Sequence, residues 1–239
     1  MNFDPPLLQG HFQRRYKRFF ADVILDTGEL VVSHCPNTGS MKNCLLENGL
    51  CWLSESDNPK RKLRYTLEAV TAKYGGMAGV NTGRTNRLVG EALQNGIIAE
   101  LSGYTLIEPE FRFGEEGSRL DFRLGMDDSR EPQKSCLVEV KNLTLGYAGG
   151  LGAFPDAVTS RGTRHLRELL VARQQGYRAV LFFCVQHTAI DHVTVAGDID
   201  PLYASTLREV VDAGVEVLVY SVRMSRTEFA VDQAIPFAF

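Results

Sequence analysis

The feature that most constrains this chain is a set of charged residues inside segments that read as strands. Asp121 lies in Ser118-Arg119-Leu120-Asp121-Phe122, and Glu139-Val140-Lys141 lies in Cys136-Leu137-Val138-Glu139-Val140-Lys141-Asn142. Side chains on a strand alternate faces, so Glu139 and Lys141 share one face while Cys136, Val138 and Val140 take the other. If the Asp121 strand pairs alongside, two carboxylates and an ammonium converge on one patch. Carboxylates that close repel and need a counter-charge, either the lysine or a divalent metal. Oxygen ligands for Mg²⁺ and a cation near an attacked phosphate are what phosphodiester cleavage requires. The competing reading is an exposed sheet face with a cross-strand ion pair, worth a few tenths of a kcal/mol.

The surrounding elements bear on that choice. Asn86 to Leu93 has an apolar stripe at Leu88, Val89, Ala92 and Leu93, with Asn95-Gly96 as a stop. Strands are expected over 104–113, 118–124 and 135–143, then a Gly-rich loop over 146–152. A second helix is expected from about Ser160 to Gln175, burying Leu166, Leu169, Leu170 and Ala172. Residues 178–186 are continuously apolar from Ala179 to Val185, which predicts a central strand buried on both faces. A third helix over 200–213 and a last buried strand over 215–222 follow. Helix, three strands, helix, strand, helix, strand is a mixed sheet flanked by helices, an α/β arrangement. It matches the core of restriction-endonuclease-like nucleases, whose site hangs on the second and third strands and first helix. That helix carries Glu91 here; Glu100 and Glu110 are the other candidates for completing the site.

Residues 1–82 read as all-β. Short half-alternating runs (20–25, 29–33, 50–54, 64–72 and 79–81) are separated by turn signals such as Asp26-Thr27-Gly28 and Glu47-Asn48-Gly49. About five short strands suggest a small barrel of the OB type. The expected division is a barrel over 1–82 and an α/β domain over 83–239.

Net charge is −3 over 239 residues, which argues against a uniformly basic nucleic-acid binder. The distribution matters more. Residues 1–82 carry ten Lys and Arg against eight Asp and Glu; residues 83–239 carry sixteen against twenty-one. The early cations cluster as Arg14, Arg15, Lys17 and Arg18, and as Lys60, Arg61 and Lys62, and clusters create local positive potential whatever the total. Tyr16, Phe19, Phe20 and Tyr65 are interleaved, and bases stack on aromatics while phosphates meet cations. On the second helix Arg161, Arg164 and Arg167 recur behind a capping Thr159 or Ser160, which reads equally as a phosphate site or a solvated face. Asp156 just before it is either a further ligand or a turn acid.

Cys35-Pro36-Asn37-Thr38-Gly39 reads as a tight turn more than as a nucleophilic cysteine loop, and it can present Asn37, Thr38 and Ser40 to phosphate. His165 reads as an ordinary packed or surface helix residue, and five histidines without HExxH spacing give no zinc site. Five cysteines without CxxC spacing read as reduced thiols in a cytoplasmic protein. Nothing approaches a membrane span, and Met1 to Pro6 has no basic start or apolar core to serve as a secretory signal.

His34-Cys35-Pro36-Asn37-Thr38-Gly39-Ser40-Met41, the Asp121 and Glu139 segments, and Phe154-Pro155-Asp156-Ala157-Val158-Thr159-Ser160-Arg161-Gly162 together resemble the bacterial sugar fermentation stimulation protein family. The likeness spans nearly the whole chain. It implies an N-terminal OB-like barrel, a nuclease-like domain of the PD-(D/E)XK kind, and DNA binding without marked sequence preference. It also implies a role in regulating sugar metabolism, chiefly maltose. Two functional readings stand together. In one, the nuclease-like core binds DNA, with Mg²⁺ or Mn²⁺ on Asp121 and Glu139; in the other, an active Mg²⁺-dependent nuclease acts on single-stranded or structured DNA or RNA. A third, of another class, is a regulator that binds a small anion.

Overall fold

The computed structural model describes residues 1–114 and 118–239. It opens with β1 (Leu8–Tyr16), β2 (Phe20–Leu25), β3 (Leu30–His34), β4 (Leu50–Glu55) and β5 (Tyr65–Thr71). β1 pairs with β2, β2 with β3, β3 with β5, β5 with β4, and β4 back to β1, so the sheet closes. Closure in this order is the OB barrel, and it leaves no free edge among those five strands. Alternation explains the interior: Ala21, Val23, Leu25 and Val31 point in, while Ile24, Leu30 and Val32 stay exposed. Gly10 is required at the β1–β2 contact, because a Cβ there would lie 2.7 Å from the Ile24 carbonyl oxygen. The sequence reading supplied five strands but missed β1, whose inward residues are separated by His11 and Gln13. It read 79–81 as a strand, whereas β6 (Met77–Gly79) is the segment that extends the sheet beyond β5.

The chain continues with α1 (Thr85–Gln94), β7 (Leu106–Phe113), β8 (Ser118–Gly125), β9 (Ser135–Leu143), β10 (Leu145–Gly146), β11 (Leu151–Phe154), α2 (Ser160–Gln174), β12 (Arg178–Val185), β13 (His192–Val195), α3 (Pro201–Asp212), β14 (Glu216–Met224), β15 (Phe229–Ala234) and β16 (Phe237–Ala238). The main sheet runs β15-β14-β12-β9-β8-β7, parallel through β9, β12 and β14 and antiparallel outside them. β12 is the central strand, buried at every residue after Arg178 because both faces are covered. Two expectations are corrected. The Gly-rich stretch is no plain loop but contributes β10 and β11 to a small sheet with β13 and β16. The strand at 216–224 is neither last nor wholly buried, since antiparallel β15 pairs beyond it.

Two cores flank the main sheet. On one face Val138, Val140, Phe182 and Cys184 meet Leu88, Val89 and Ala92 of α1. On the other, Leu137, Leu181 and Phe183 meet Leu166 and Leu169 of α2 and Leu207 of α3. The first core also takes in Met1, Leu7, Trp52 and Ala69, so residues before the barrel and part of its wall pack on the second sheet. At the joint, fully buried Glu68 of β5 accepts two bonds from Arg84, at 2.9 and 3.3 Å, and one from Asn81 at 2.9 Å.

Candidate functional site

Side-chain sides change at one place on β8. Phe122 and Leu124 belong to the core under α1, whereas Leu120 belongs to the core under α2 and α3. On β7 the change falls at Glu110, which has φ +53°, uncommon for a residue with a Cβ. The β8–β9 ladder runs from Gly125–Ser135 to Phe122–Val138 and stops there. Asp121 then replaces it with its own side chain: Oδ2 accepts the Val140 backbone N–H at 2.7 Å, and Oδ1 accepts Asn86 Nδ2 of α1 at 2.6 Å. The kink thus turns Asp121 toward β9.

Glu139 and Lys141 point to the α2 side, as their phase with Leu137 and Leu143 requires. Glu139 is 3% exposed; its Oε1 accepts Lys141 Nζ at 2.6 Å and a close bond from His165 Nδ1 of α2. Arg161, one turn earlier, donates its Nε–H to His165 Nε2 at 3.3 Å. An acceptor role at Nε2 puts the proton of neutral His165 on Nδ1, facing Glu139. Among the described residues Glu139 Oε2 has no hydrogen-bond partner, and it is buried. Thr82, Asn86, Asp121, Glu139, Lys141, Asn142, Arg161 and His165 line a cleft of about 330 Å³.

The two carboxylates are driven apart electrostatically. Burial and the nearby Glu139 charge raise Asp121 above the usual range, against the bonds from Val140 and Asn86. Burial also acts to raise Glu139, but His165 and Lys141 outweigh it and hold that group low. Glu139 therefore stays ionised, and Asp121 is the carboxylate most in need of a cation.

The structure brings together Asp121, Glu139, Lys141 and Arg161, but not the proposed first-helix acid. Glu91 pairs with the Met1 amino group at 2.7 Å and Arg87 at 2.9 Å, in a different pocket. Five residues rotate a helix by about 140°, so Asn86, not Glu91, faces Asp121. Glu100 accepts the Tyr220 hydroxyl proton at 2.6 Å and lines another pocket. Glu110 is exposed, 3.8 Å from Arg119. His165, read from sequence as an ordinary helix residue, is a cleft residue; its spacing from Arg161 and Thr159 was the available signal. Among the described residues no group of three or more His, Cys, Asp and Glu side chains is placed to hold a metal, so an ion here would rest on two carboxylates.

Of the barrel's basic residues, Arg14 and Arg15 lie on β1 and the others on loops. Arg14 pairs with Asp22 at 2.7 Å; Lys17 and Arg18 form the β1–β2 turn. Lys60, Arg61 and Lys62 lie in the β4–β5 connection, where Arg61 donates to Thr66 at 2.6 Å. Arg15 donates to the Asn37 carbonyl at 2.7 Å and the Gly39 carbonyl at 3.2 Å. Asn37 is buried and caps its own turn by accepting the Gly39 N–H at 2.8 Å, while Thr38 is exposed. Asp156 is a turn acid: it accepts from Ser40 Oγ at 2.8 Å and the Met41 N–H at 3.2 Å, docking this turn on the second domain. Arg164 is exposed and lies 3.5 Å from Glu168. The five cysteines are buried free thiols, and no helix among the described residues is long and apolar enough to cross a membrane.

A closed OB barrel joined to a restriction-endonuclease-like mixed sheet, with an Asp–Glu–Lys cleft beside the joint, defines the class of protein. Family models agree: residues 14–80 match the SfsA N-terminal OB domain, and residues 83–228 match the sugar fermentation stimulation protein RE domain. A sugar fermentation stimulation protein homolog of Teredinibacter turnerae is 53% identical over 236 residues, covering 99% of each chain. One of Pseudomonas syringae pv. syringae is 50% identical over 234 residues, covering 98% of this chain and 97% of that one. The chain belongs to the sugar fermentation stimulation protein family. A solved structure described as Pyrococcus furiosus SfsA in complex with Ca²⁺ has the same fold, with a TM-score of 0.86 at 24% identity over all of this chain and 98% of that one.

Proposed function

We propose that this protein binds nucleic acid without marked sequence preference and holds a divalent cation between Asp121 and Glu139. The observation that carries the reading is the buried, unpartnered Oε2 of Glu139 in a cleft shared with Asp121. An orphaned buried acceptor costs about 1–3 kcal/mol, and a cation in the cleft removes that cost. The donor set fits a hard ion: two carboxylates with the side-chain oxygens of Asn86, Asn142 and Thr82 nearby suit Mg²⁺ or Mn²⁺, which keep several waters. The Ca²⁺ complex of the Pyrococcus relative supports the same ligand class. Basic loops of the barrel supply the phosphate contacts, because OB barrels grip nucleic acid with their β1–β2 and β4–β5 loops. Control of sugar metabolism, chiefly of maltose, would then be exerted through the bound nucleic acid.

Hydrolysis is the second reading, favoured by one observation: Lys141 Nζ stands in the same cleft, 2.6 Å from Glu139. The ion would supply Lewis-acid charge at a phosphoryl oxygen. Lys141 and Arg161 would place positive charge against the phosphate, and His165 would fix the Glu139 carboxylate. Calorimetry with Mg²⁺, Mn²⁺ and Ca²⁺, beside a panel of single-stranded, duplex and branched nucleic acids with and without chelator, tests both. Ion uptake lost in Asp121→Asn is expected. Binding without uptake or cutting reduces the cleft to a protein-internal ion pair, and no binding of any nucleic acid ends the proposal.

A further inference from the structure

The outer face of the barrel carries a row of rings. Strand register sets Tyr16 opposite Phe20 and Phe20 opposite His34, so three rings stand on three adjacent strands. Tyr16 and Phe20 stack with centroids 5.5 Å apart, and Phe19 beside them is 47% exposed. Scattered surface apolar residues need no explanation, but these are aligned and flanked by cations: Lys17 and Arg18 in the turn, and Arg61 from the opposite loop. Arg14 lies over the Tyr16 ring at 5.3 Å, yet Asp22 already pairs with it, which weakens this face as a purely electrostatic surface. Burial and the charge of Arg61 lower the His34 pKa, which favours the neutral ring.

The row also leads somewhere. β3 ends at His34, and the chain continues into the turn that Arg15 holds through the Asn37 and Gly39 carbonyls. Asn37 and Gly39 line a crease of about 90 Å³ together with Thr82 and Asn142. Thr82 and Asn142 also line the Asp121–Glu139 cleft. Crease and cleft therefore share two lining residues, and Cys35 and Pro36 join the last ring of the row to the crease.

We propose that the ligand is a single strand of nucleic acid, its unpaired bases stacked on Tyr16, Phe19, Phe20 and His34 and its backbone led through the Asn37–Asn142 crease to the carboxylate cleft. This rests on the nucleic-acid reading and deepens it, because ring stacking needs bases freed from pairing whereas the basic loops alone do not. Base–aromatic stacking is sequence-tolerant, so weak sequence preference follows.

Fluorescence anisotropy on the full chain tests it, with labelled oligodeoxythymidylate of about 20 nucleotides, longer than an OB footprint of about 4–16, against a blunt hairpin duplex of equal length. The single strand is expected to bind more tightly at the same salt. Tyr16→Leu and Phe19→Leu, each keeping its thermal midpoint, are expected to weaken the single strand by roughly 5- to 150-fold per ring and the duplex by less than about twofold. Photocross-linking with 5-iododeoxyuridine strands is expected to label both the 16–20 segment and the Thr82 or Asn142 segment. Equal loss on both ligands, tighter duplex binding, or cross-links confined to one segment would overturn the single-strand track while leaving nucleic-acid binding standing. Absence of binding to either ligand would remove the underlying reading as well.

Discussion

Asp121 and Glu139 respond to pH in opposite senses, and each sense yields a measurement. Asp121 has its pKa raised in the folded chain, so its ionised form costs stability once pH climbs above the ordinary Asp value of 3.8. Asp121→Asn is therefore expected to raise the thermal midpoint at neutral pH without divalent ions, by about 2–4 °C for each ~1 kcal/mol relieved in a chain this size. The gain should vanish below pH 3.8, where the native side chain is protonated in both states. A lower midpoint in scanning calorimetry would mean that the Val140 and Asn86 bonds outweigh the repulsion. Glu139 has its pKa lowered, so its contribution is full above the ordinary Glu value and is lost as pH falls through the folded one. Lys141→Met leaves that buried carboxylate with only His165. The loss should be about 3 kcal/mol in chelator, the lower end for breaking a buried pair. Mn²⁺ should restore part of it, whereas Glu139→Gln should show no Mn²⁺ response; equal responses would detach the metal from Glu139.

At the scale of elements, legibility followed how local the determinant is. β2 and β12 were readable because alternation and continuous apolarity are written in consecutive residues. β1 was not, since its strand state comes from closing the barrel against β2 and β4, and its sequence signal is dominated by Arg14 and Arg15. β10, β11, β13 and β16 are two to four residues each, and apart from β10 with β11 they pair with partners distant in sequence. The Asp121–Glu139–Lys141 patch was legible because charges break a strand pattern visibly. Asn86 and His165 were not, because a polar residue on an amphipathic helix looks solvated until the facing strand is known. The joint is a third case: Glu68 in a strand gave no hint that Arg84, Asn81 and Ser54 enclose it. Arg84→Met should therefore cost about 3–5 kcal/mol by chemical denaturation, and Glu68→Met on that background should recover much of it. Recovery failing with the second substitution would mean that packing, not the uncompensated charge, sets the loss.

For the whole molecule, the net charge of −3 is a poor guide because the charge is segregated. Apart from Arg14 and Arg15 on β1, the clustered cations of the barrel sit on the β1–β2 and β4–β5 loops, while several others are already spent on partners: Arg14 on Asp22, Arg84 on Glu68, Arg178 on Glu216. Only cations that release counterions from phosphate contribute to the salt dependence of binding, at roughly 0.9 in log–log slope per contact on duplex and about 0.7 on a single strand. Replacing Lys60, Arg61 and Lys62 together with Gln should lower the slope by about 2–3 on duplex if all three reach phosphate. Arg14→Gln should lower it by less than a full contact, since Asp22 already neutralises that side chain. Arg223→Gln is the control, because that residue lies on β14 and is held by Asp232 and Glu228 at 2.7 and 3.3 Å; its slope should equal the native one. Titrations over about 50–200 mM salt read all three. An unchanged slope in the triple variant, with a fall in the Arg223 variant, would move the phosphate-binding surface from the barrel loops to the outer edge of the main sheet.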